Sequence, residues 1–245
     1  MEHSGDSRAV ASAPSAAQVA ISAEVDGATT NGHRGAVAPR LATPYVAPPA
    51  TSVAKRGLDI ALSLVASPLV LGIGLVIAVL VKATSRGPVL FKQKRIGLGG
   101  ATIEVLKFRT MHVDAEERLR NDPVLWDEYV RNGYKLHDDP RLTGVGRWLR
   151  NLSLDELPQI FNVLSGSMSL VGPRPIVLAE LEQDTDLSAY LSVRPGLTGW
   201  WQVSGRSNVD RPTHDREYVE RWTFWLDVKI LLKTPIAVLT SRGAV

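Results

Sequence analysis

The stretch LDIALSLVASPLVLGIGLVIAVLV, Leu58 to Val81, constrains this chain more than any other: its 24 residues carry one charge, Asp59. As a straight helix it would be roughly 36 Å long, enough to cross the hydrocarbon core of a bilayer. Membrane association follows, but simple crossing fits poorly. Pro68 lies near the middle, where it lacks the N–H that would bond the Leu64 carbonyl and its ring pushes on that turn. Ser67 beside it has a hydroxyl able to satisfy a freed carbonyl, so a kink there is chemically tolerable. Lys55 and Arg56 precede the stretch, and Lys82, Arg86, Lys92, Lys94 and Arg95 follow it. Basic residues favour the cytoplasmic side, so a spanning helix strands one cluster outside. A helix that enters, bends at Ser67-Pro68 and returns keeps both inside. The expectation is a re-entrant membrane helix over 55–82 broken at Ser67-Pro68, with a kinked spanning helix as the alternative.

Composition changes abruptly on either side. Residues 1–54 are rich in Ala, Ser, Pro, Gly and Thr, with few large apolar side chains. Such a segment cannot bury enough surface to offset its ordering entropy and is expected to be a disordered tail. No apolar core of a secretory signal follows the first residues. The net charge of +3 and the absence of a recognition motif exclude a nucleic-acid partner. The chain has no cysteine, which excludes disulfides and thiolate metal sites, and its 5 histidines show no metal-ligand spacing.

After the apolar stretch, GPVLFKQKRIGLGGATIEVLKFRTM reads as two short strands around the turn Gly97-Leu98-Gly99-Gly100. Lys92 to Arg95 suits a basic face against anionic head groups. Lys107 and Arg109 straddle an apolar residue, so strand alternation places them on one face as candidate site residues. DAEERLRNDPVLWDEYVRNG reads as one or two solvated helices, and DDPRLTGVGRWLRN as a turn before a short basic helix. HDREYVERWTFWLDVKILLKTPIAVLT closes the chain as a helical run. The four Trp between 200 and 225 suit either a membrane interface or the core.

The pair Asp155-Glu156 has two readings. In one it begins a helix: Asp155 as N-cap with Pro158 at the third helical position, or Ser153 and Glu156 as a capping box, with Leu157, Ile160, Phe161 and Leu164 as the buried face and Gly166 as the end. In the other it carries chemistry. Arg147, Arg150, Arg174, Arg194, Arg206 and Arg211 are scattered at turns, several beside Pro or Gly. Guanidinium groups on rigid turns suit bidentate phosphate binding. Adjacent carboxylates among arginines suit phosphoryl transfer, the acids holding metal or attacking phosphorus and the cations neutralising equatorial charge.

KRGLDI, Ser67-Pro68, KFRTM, DPRLTGVGRWLR, SLDELPQIFNVLSGSMSLVGPRP and RPGLTGWWQVSGR carry a resemblance. From about Lys55 to its end, about 190 residues, the chain resembles the monotopic phosphoglycosyl transferases, the small exopolysaccharide-initiating type of bacterial sugar transferase. The resemblance implies an α+β, mostly helical fold: a re-entrant helix (55–82), a short β-hairpin, and amphipathic interface helices around a cytosolic catalytic part (83–245). It implies an enzyme on the cytoplasmic face of the bacterial inner membrane, among membrane lipids. Such an enzyme moves sugar 1-phosphate from a UDP-sugar to polyprenyl (undecaprenyl) phosphate and releases UMP. It further implies Asp155 as nucleophile forming an aspartyl phosphosugar, Mg²⁺ held at Asp155 and Glu156, and Lys107, Arg109, Arg150, Arg174 and Arg206 around the substrate. Homo-oligomerisation is left open. The competing readings are a non-catalytic membrane scaffold of a polysaccharide secretion complex, in which the acidic pair only caps a helix, and a membrane phosphatase or lipid kinase.

Overall fold

The computed structural model describes residues 47–132, 136–177, 187–204 and 211–240. Residues 1–46 of the expected tail lie outside these. Its last residues, 47–54, are described. Ala47 is fully buried and its N–H donates to the Ser192 carbonyl at 3.0 Å. Helix α1 (Pro48–Thr51) starts on two prolines, whose missing N–H groups cost nothing in a first turn.

Helix α2 (Val53–Thr84) follows at once, capped by Ser52, whose side chain accepts from the Lys55 N–H at 3.2 Å. Among the described residues it is the one helix long and apolar enough to cross a membrane. Helical backbone continues through Pro68, so the expected break is not a gap in the helix. The Ser67 hydroxyl donates to the Ser63 carbonyl at 2.6 Å. Both ends of α2 dock on the rest of the protein, while Leu64, Val65, Leu69, Leu75 and Val76 between them stand exposed.

The N-terminal end docks through polar groups. Lys55 Nζ donates to Val171 O at 2.8 Å and to Asp227 Oδ2 at 2.7 Å, and Tyr218 Oη and Trp222 Nε1 donate to the same carboxylate. One turn on, Asp59 accepts from Ser169 Oγ and from the Leu170 N–H. The C-terminal end docks through Ile77 and Val81, which pack with Phe108 and Leu149.

The expected hairpin is present. β1 (Leu90–Ile96) and β2 (Thr102–Phe108) pair antiparallel with Ile96 opposite Thr102 and Phe91 opposite Lys107. A 3₁₀ turn (Leu98–Gly100) joins them, with Gly99 and Gly100 at φ +67° and +82°, where glycine alone is unstrained. The hairpin touches three apolar clusters at different points: Val105 joins Val163, Met168 and Ile230; Phe108 joins the α2 end; Ile96 joins Ile176, Tyr190 and Leu191.

The charged segment forms α3 (Ala115–Asn121) and α4 (Pro123–Arg131), the second capped by Asp122. Next come α5 (Gly144–Asn151), a 3₁₀ turn (Leu154–Glu156), α6 (Gln159–Ser165) and β3 (Ser169–Val171). Then α7 (Ser188–Leu191), β4 (Gly196–Thr198) paired parallel to β3, α8 (Trp200–Val203), α9 (Arg211–Glu220) and α10 (Phe224–Thr240) complete a mostly helical fold. Trp200 and Trp222 pack against the core, whereas Trp225 stands exposed with Leu232 and Ile236 on α10.

Replacing Lys55 by Met leaves Asp227 buried without its cation and is expected to cost about 3–5 kcal/mol of stability. Chemical denaturation in detergent reads this as a lowered midpoint, part of which the double variant K55M/D227L recovers. An unchanged midpoint in Lys55→Met would show that the pair contributes nothing.

Candidate active site

The acidic pair sits on a turn between two helices. Helix α5 ends when Ser153, at φ +54°, enters the left-handed region; among the described residues it is the one non-glycine to do so. That reversal starts the 3₁₀ turn Leu154–Glu156, and Leu154 and Leu157 pack on the Ile77–Val81–Phe108–Leu149 cluster. Neither capping arrangement forms. Helix α6 begins at Gln159 with Pro158 before it, and no side-chain cap bond is made at Ser153 or at Pro158. Gly166, at φ +90°, ends α6 as its position suggests.

Asp155 is buried and, among the described residues, receives no hydrogen bond from another residue's side chain. Burial pushes its carboxyl above the usual range; nearby Lys107 and Arg150 draw it down, and Glu156 pushes it up. Lys107 Nζ lies 2.8 Å from Glu156 Oε1, a half-buried ion pair carried across from β2. Arg150, on the last turn of α5, points its Nε at Thr110 Oγ1 at 3.0 Å. Burial draws this guanidinium below its ordinary range, opposed by the charges of Asp155 and Asp139. Lys107, Arg150, Asp155 and Glu156 thus form one electrostatic group.

Of the other expected site residues, Arg109 and Arg174 are described. Arg109 comes one residue after β2 ends, and its guanidinium closes the end of α2. Its Nη1 donates to Arg86 O at 2.7 Å, and its Nη2 to Ser85 O at 3.0 Å and Ser85 Oγ at 2.8 Å. Gly87, at φ +113°, makes room for it, since a Cβ there would lie 2.0 Å from Arg109 Nη1. Strand alternation fails for Arg109 because the strand stops and carbonyls freed at a helix end outcompete the site for its donors.

Arg174 is exposed between its prolines. The chain just after it is tied to the turn end of the hairpin, by the Ile96 N–H to Ile176 O at 3.0 Å. Lys107 is five residues along β2 from Thr102, the partner of Ile96, or about 17 Å of strand. Arg206 lies outside the described residues.

Sequence reasoning missed Thr110 and the pair Asp139–Arg141. Arg141 meets the Asp139 carboxylate through Nε at 2.8 Å and Nη2 at 2.7 Å, and its guanidinium lies 4.9 Å from the Tyr129 ring centre. The bidentate geometry and the planar contact suit an arginine in a fixed position. Thr110 stands inside KFRTM, directly after Arg109, and could have been found there.

No group of three or more His, Asp or Glu side chains suited to a metal occurs among the described residues. Mg²⁺ needs less, being held by one or two carboxylates together with substrate phosphate and water. Asp155, with spare acceptor capacity, and its neighbour Glu156 fit that requirement.

Replacing Lys107 by Met removes a cation that favours the Asp155 carboxylate, so the Asp155 pKa is expected to rise further. Carbon NMR titration of selectively labelled aspartate measures this. An unmoved midpoint would show that the ammonium does not act on Asp155.

Comparison with known proteins gives the family of the chain. Residues 50–241 match the family described as bacterial sugar transferase. An uncharacterized sugar transferase of Haemophilus influenzae is 49% identical over 166 residues, covering 64% of this chain and 35% of the relative. The undecaprenyl-phosphate galactose phosphotransferase of Salmonella typhimurium is 46% identical over 199 residues, covering 78% of this chain and 41% of the relative. The exopolysaccharide production protein ExoY of Rhizobium meliloti is 45% identical over 204 residues, covering 80% of this chain and 90% of the relative. The chain therefore spans well under half of the first two relatives and nearly all of the third. With a match over most of its length, and with the acidic pair inside the matched region, this chain belongs to the bacterial sugar transferase family.

Proposed function

We propose that this protein is a phosphoglycosyl transferase that moves sugar 1-phosphate from a UDP-sugar to a polyprenyl phosphate such as undecaprenyl phosphate. The observation that carries the proposal is Asp155, a buried carboxylate with no capping role, set beside Lys107 and Arg150. The name of the Salmonella relative supports the lipid acceptor, and that of the Rhizobium relative supports a place in exopolysaccharide production.

In the first step an Asp155 carboxylate oxygen attacks the sugar-bearing phosphorus. The bond to the uridylyl phosphate oxygen breaks and UMP departs with the electron pair, leaving an aspartyl phosphosugar. In the second step an oxygen of the lipid phosphate attacks the same phosphorus. The Asp155–phosphorus bond breaks, the carboxylate is restored, and the product is a polyprenyl diphosphate sugar. Lys107 and Arg150 offset repulsion between the anions, and Arg174, just before the segment tied to the turn end of the hairpin, is assigned to the nucleotide end. Mg²⁺ at Asp155 and Glu156 would supply further charge neutralisation at the phosphates. A two-step route also means that one small site need not hold a nucleotide and a prenyl chain together.

The membrane arrangement belongs to the same proposal. Helix α2 enters from the cytoplasmic face of the inner membrane and returns to it. Two observations support this: both of its ends pack on the same body, and both flanks are basic. Trp225, Leu232 and Ile236 of α10, exposed beside Lys229 and Lys233, suit the head-group region.

The test offers purified protein in lipid a panel of UDP-sugars with undecaprenyl phosphate and measures UMP release. One sugar is expected to support turnover, and Asp155→Asn to lower it by at least about a thousandfold. EDTA is expected to abolish turnover and Mg²⁺ to restore it. Labelled UMP should exchange into the UDP-sugar without lipid; turnover without exchange would remove the covalent intermediate. Full function in Asp155→Asn would favour the scaffold reading.

A further inference from the structure

Arg150 is half-buried and sits on a helix whose approach to the segment after β2 is unusually close. The first turn of α5 presses on the backbone of Thr110: a Cβ at Gly146 would lie 1.9 Å from Thr110 O. The helix is locked there. The Thr143 N–H donates to Thr110 O at 2.9 Å, the Thr143 hydroxyl bonds the same oxygen at 3.3 Å, and that hydroxyl accepts from the Gly146 N–H at 2.8 Å. The neighbouring strand-like segment is tied as well, with the His112 N–H donating to Arg141 O at 2.9 Å.

Gly146 and Arg150 are four residues apart and share one helix face, so the close approach at Gly146 brings Arg150 over Thr110 one turn later. Thr110 is itself buried, and its hydroxyl accepts from Arg150 Nε at 3.0 Å. No other hydrogen bond holds this guanidinium among the described residues. A guanidinium carries five donors in a rigid plane, so fixing Nε fixes the direction of both terminal nitrogens. The charges of Asp155 and Asp139 favour the charged guanidinium, and that of Arg141, itself bonded to Asp139, opposes it.

We infer that Thr110 is a positioning residue: its hydroxyl orients Arg150 so that the two terminal nitrogens face the phosphate oxygens of a nucleotide diphosphate beside Asp155, and Gly146 makes that contact sterically possible. This rests on the proposed function, in which Arg150 binds phosphate. Thr110 touches no substrate and acts through Arg150.

Binding of uridine diphosphate, and of inorganic pyrophosphate, to the full chain in nanodiscs tests it by calorimetry. Thr110→Val keeps the shape and removes the acceptor, and is expected to weaken both probes about five- to tenfold, the effect of one hydrogen bond. Thr110→Ser restores the hydroxyl and should bind within about twofold of the native chain. Arg150→Ala should weaken binding at least as much as Thr110→Val, and the double variant T110V/R150A should bind no more weakly than Arg150→Ala alone. A merely structural role would give penalties that add and would not be rescued by serine. Thr110→Ala serves in place of Thr110→Val if the latter does not fold. Native affinity in Thr110→Val with weakened affinity in Arg150→Ala would overturn the inference alone, as would additive penalties. Native affinity in Arg150→Ala would remove the phosphate role of Arg150 and the inference with it, while UMP release and its Asp155 dependence would still be judged separately.

Discussion

Lys55 and Asp227, 172 residues apart in sequence, meet inside the protein with the Val171 carbonyl, the Tyr218 hydroxyl and the Trp222 indole N–H around them. Taking two charges out of water is costly, and the arrangement is tolerable because nearly every donor and acceptor finds a partner. What it secures is the first turn of α2. From there the helix carries Asp59 to β3 and, far along its length, Ile77 and Val81 to the cluster beneath Leu154 and Leu157. The turn bearing Asp155 therefore rests on the apolar helix. The placement of the one helix long and apolar enough to cross a membrane, among the described residues, and that of the acidic pair share one set of contacts.

The electrostatics of that pair are a balance between burial and nearby charge. Burial favours the protonated form of Asp155, and Lys107 and Arg150 favour the carboxylate. Opposed influences of this kind on a buried carboxylate are common where a group does chemistry. Lys107 serves both acids, bonding Glu156 directly and acting on Asp155 through space. Arg150 makes its hydrogen bond outside the pair, to Thr110 two residues after β2, while the charges of both carboxylates act on it through space.

Much of this was legible from sequence wherever the signal was local. The Gly97–Gly100 turn announced the hairpin, the uncharged run announced α2, and Gly166 announced the end of α6. Asp155 and Glu156 stood out by adjacency, yet their capping reading could be rejected only from the structure. The deciding residue was Ser153, whose left-handed backbone breaks the chain between α5 and α6, and serine does not advertise that conformation as glycine does. Arg109 misled because alternation predicts which side of a strand a residue occupies but not where the strand stops. Long-range partners such as Lys55 with Asp227, or Arg150 with Thr110, leave no local trace, since each residue type also suits an ordinary exposed position.

The docking of α2 at both ends has a consequence for handling the protein. Here a cut on either flank leaves the helix still held by the other, and deleting it outright strips Asp227 of its cation and uncovers Phe108 and Leu149. The apolar helix is thus a structural element of the globular part, and removing it takes away contacts on which the acidic turn rests.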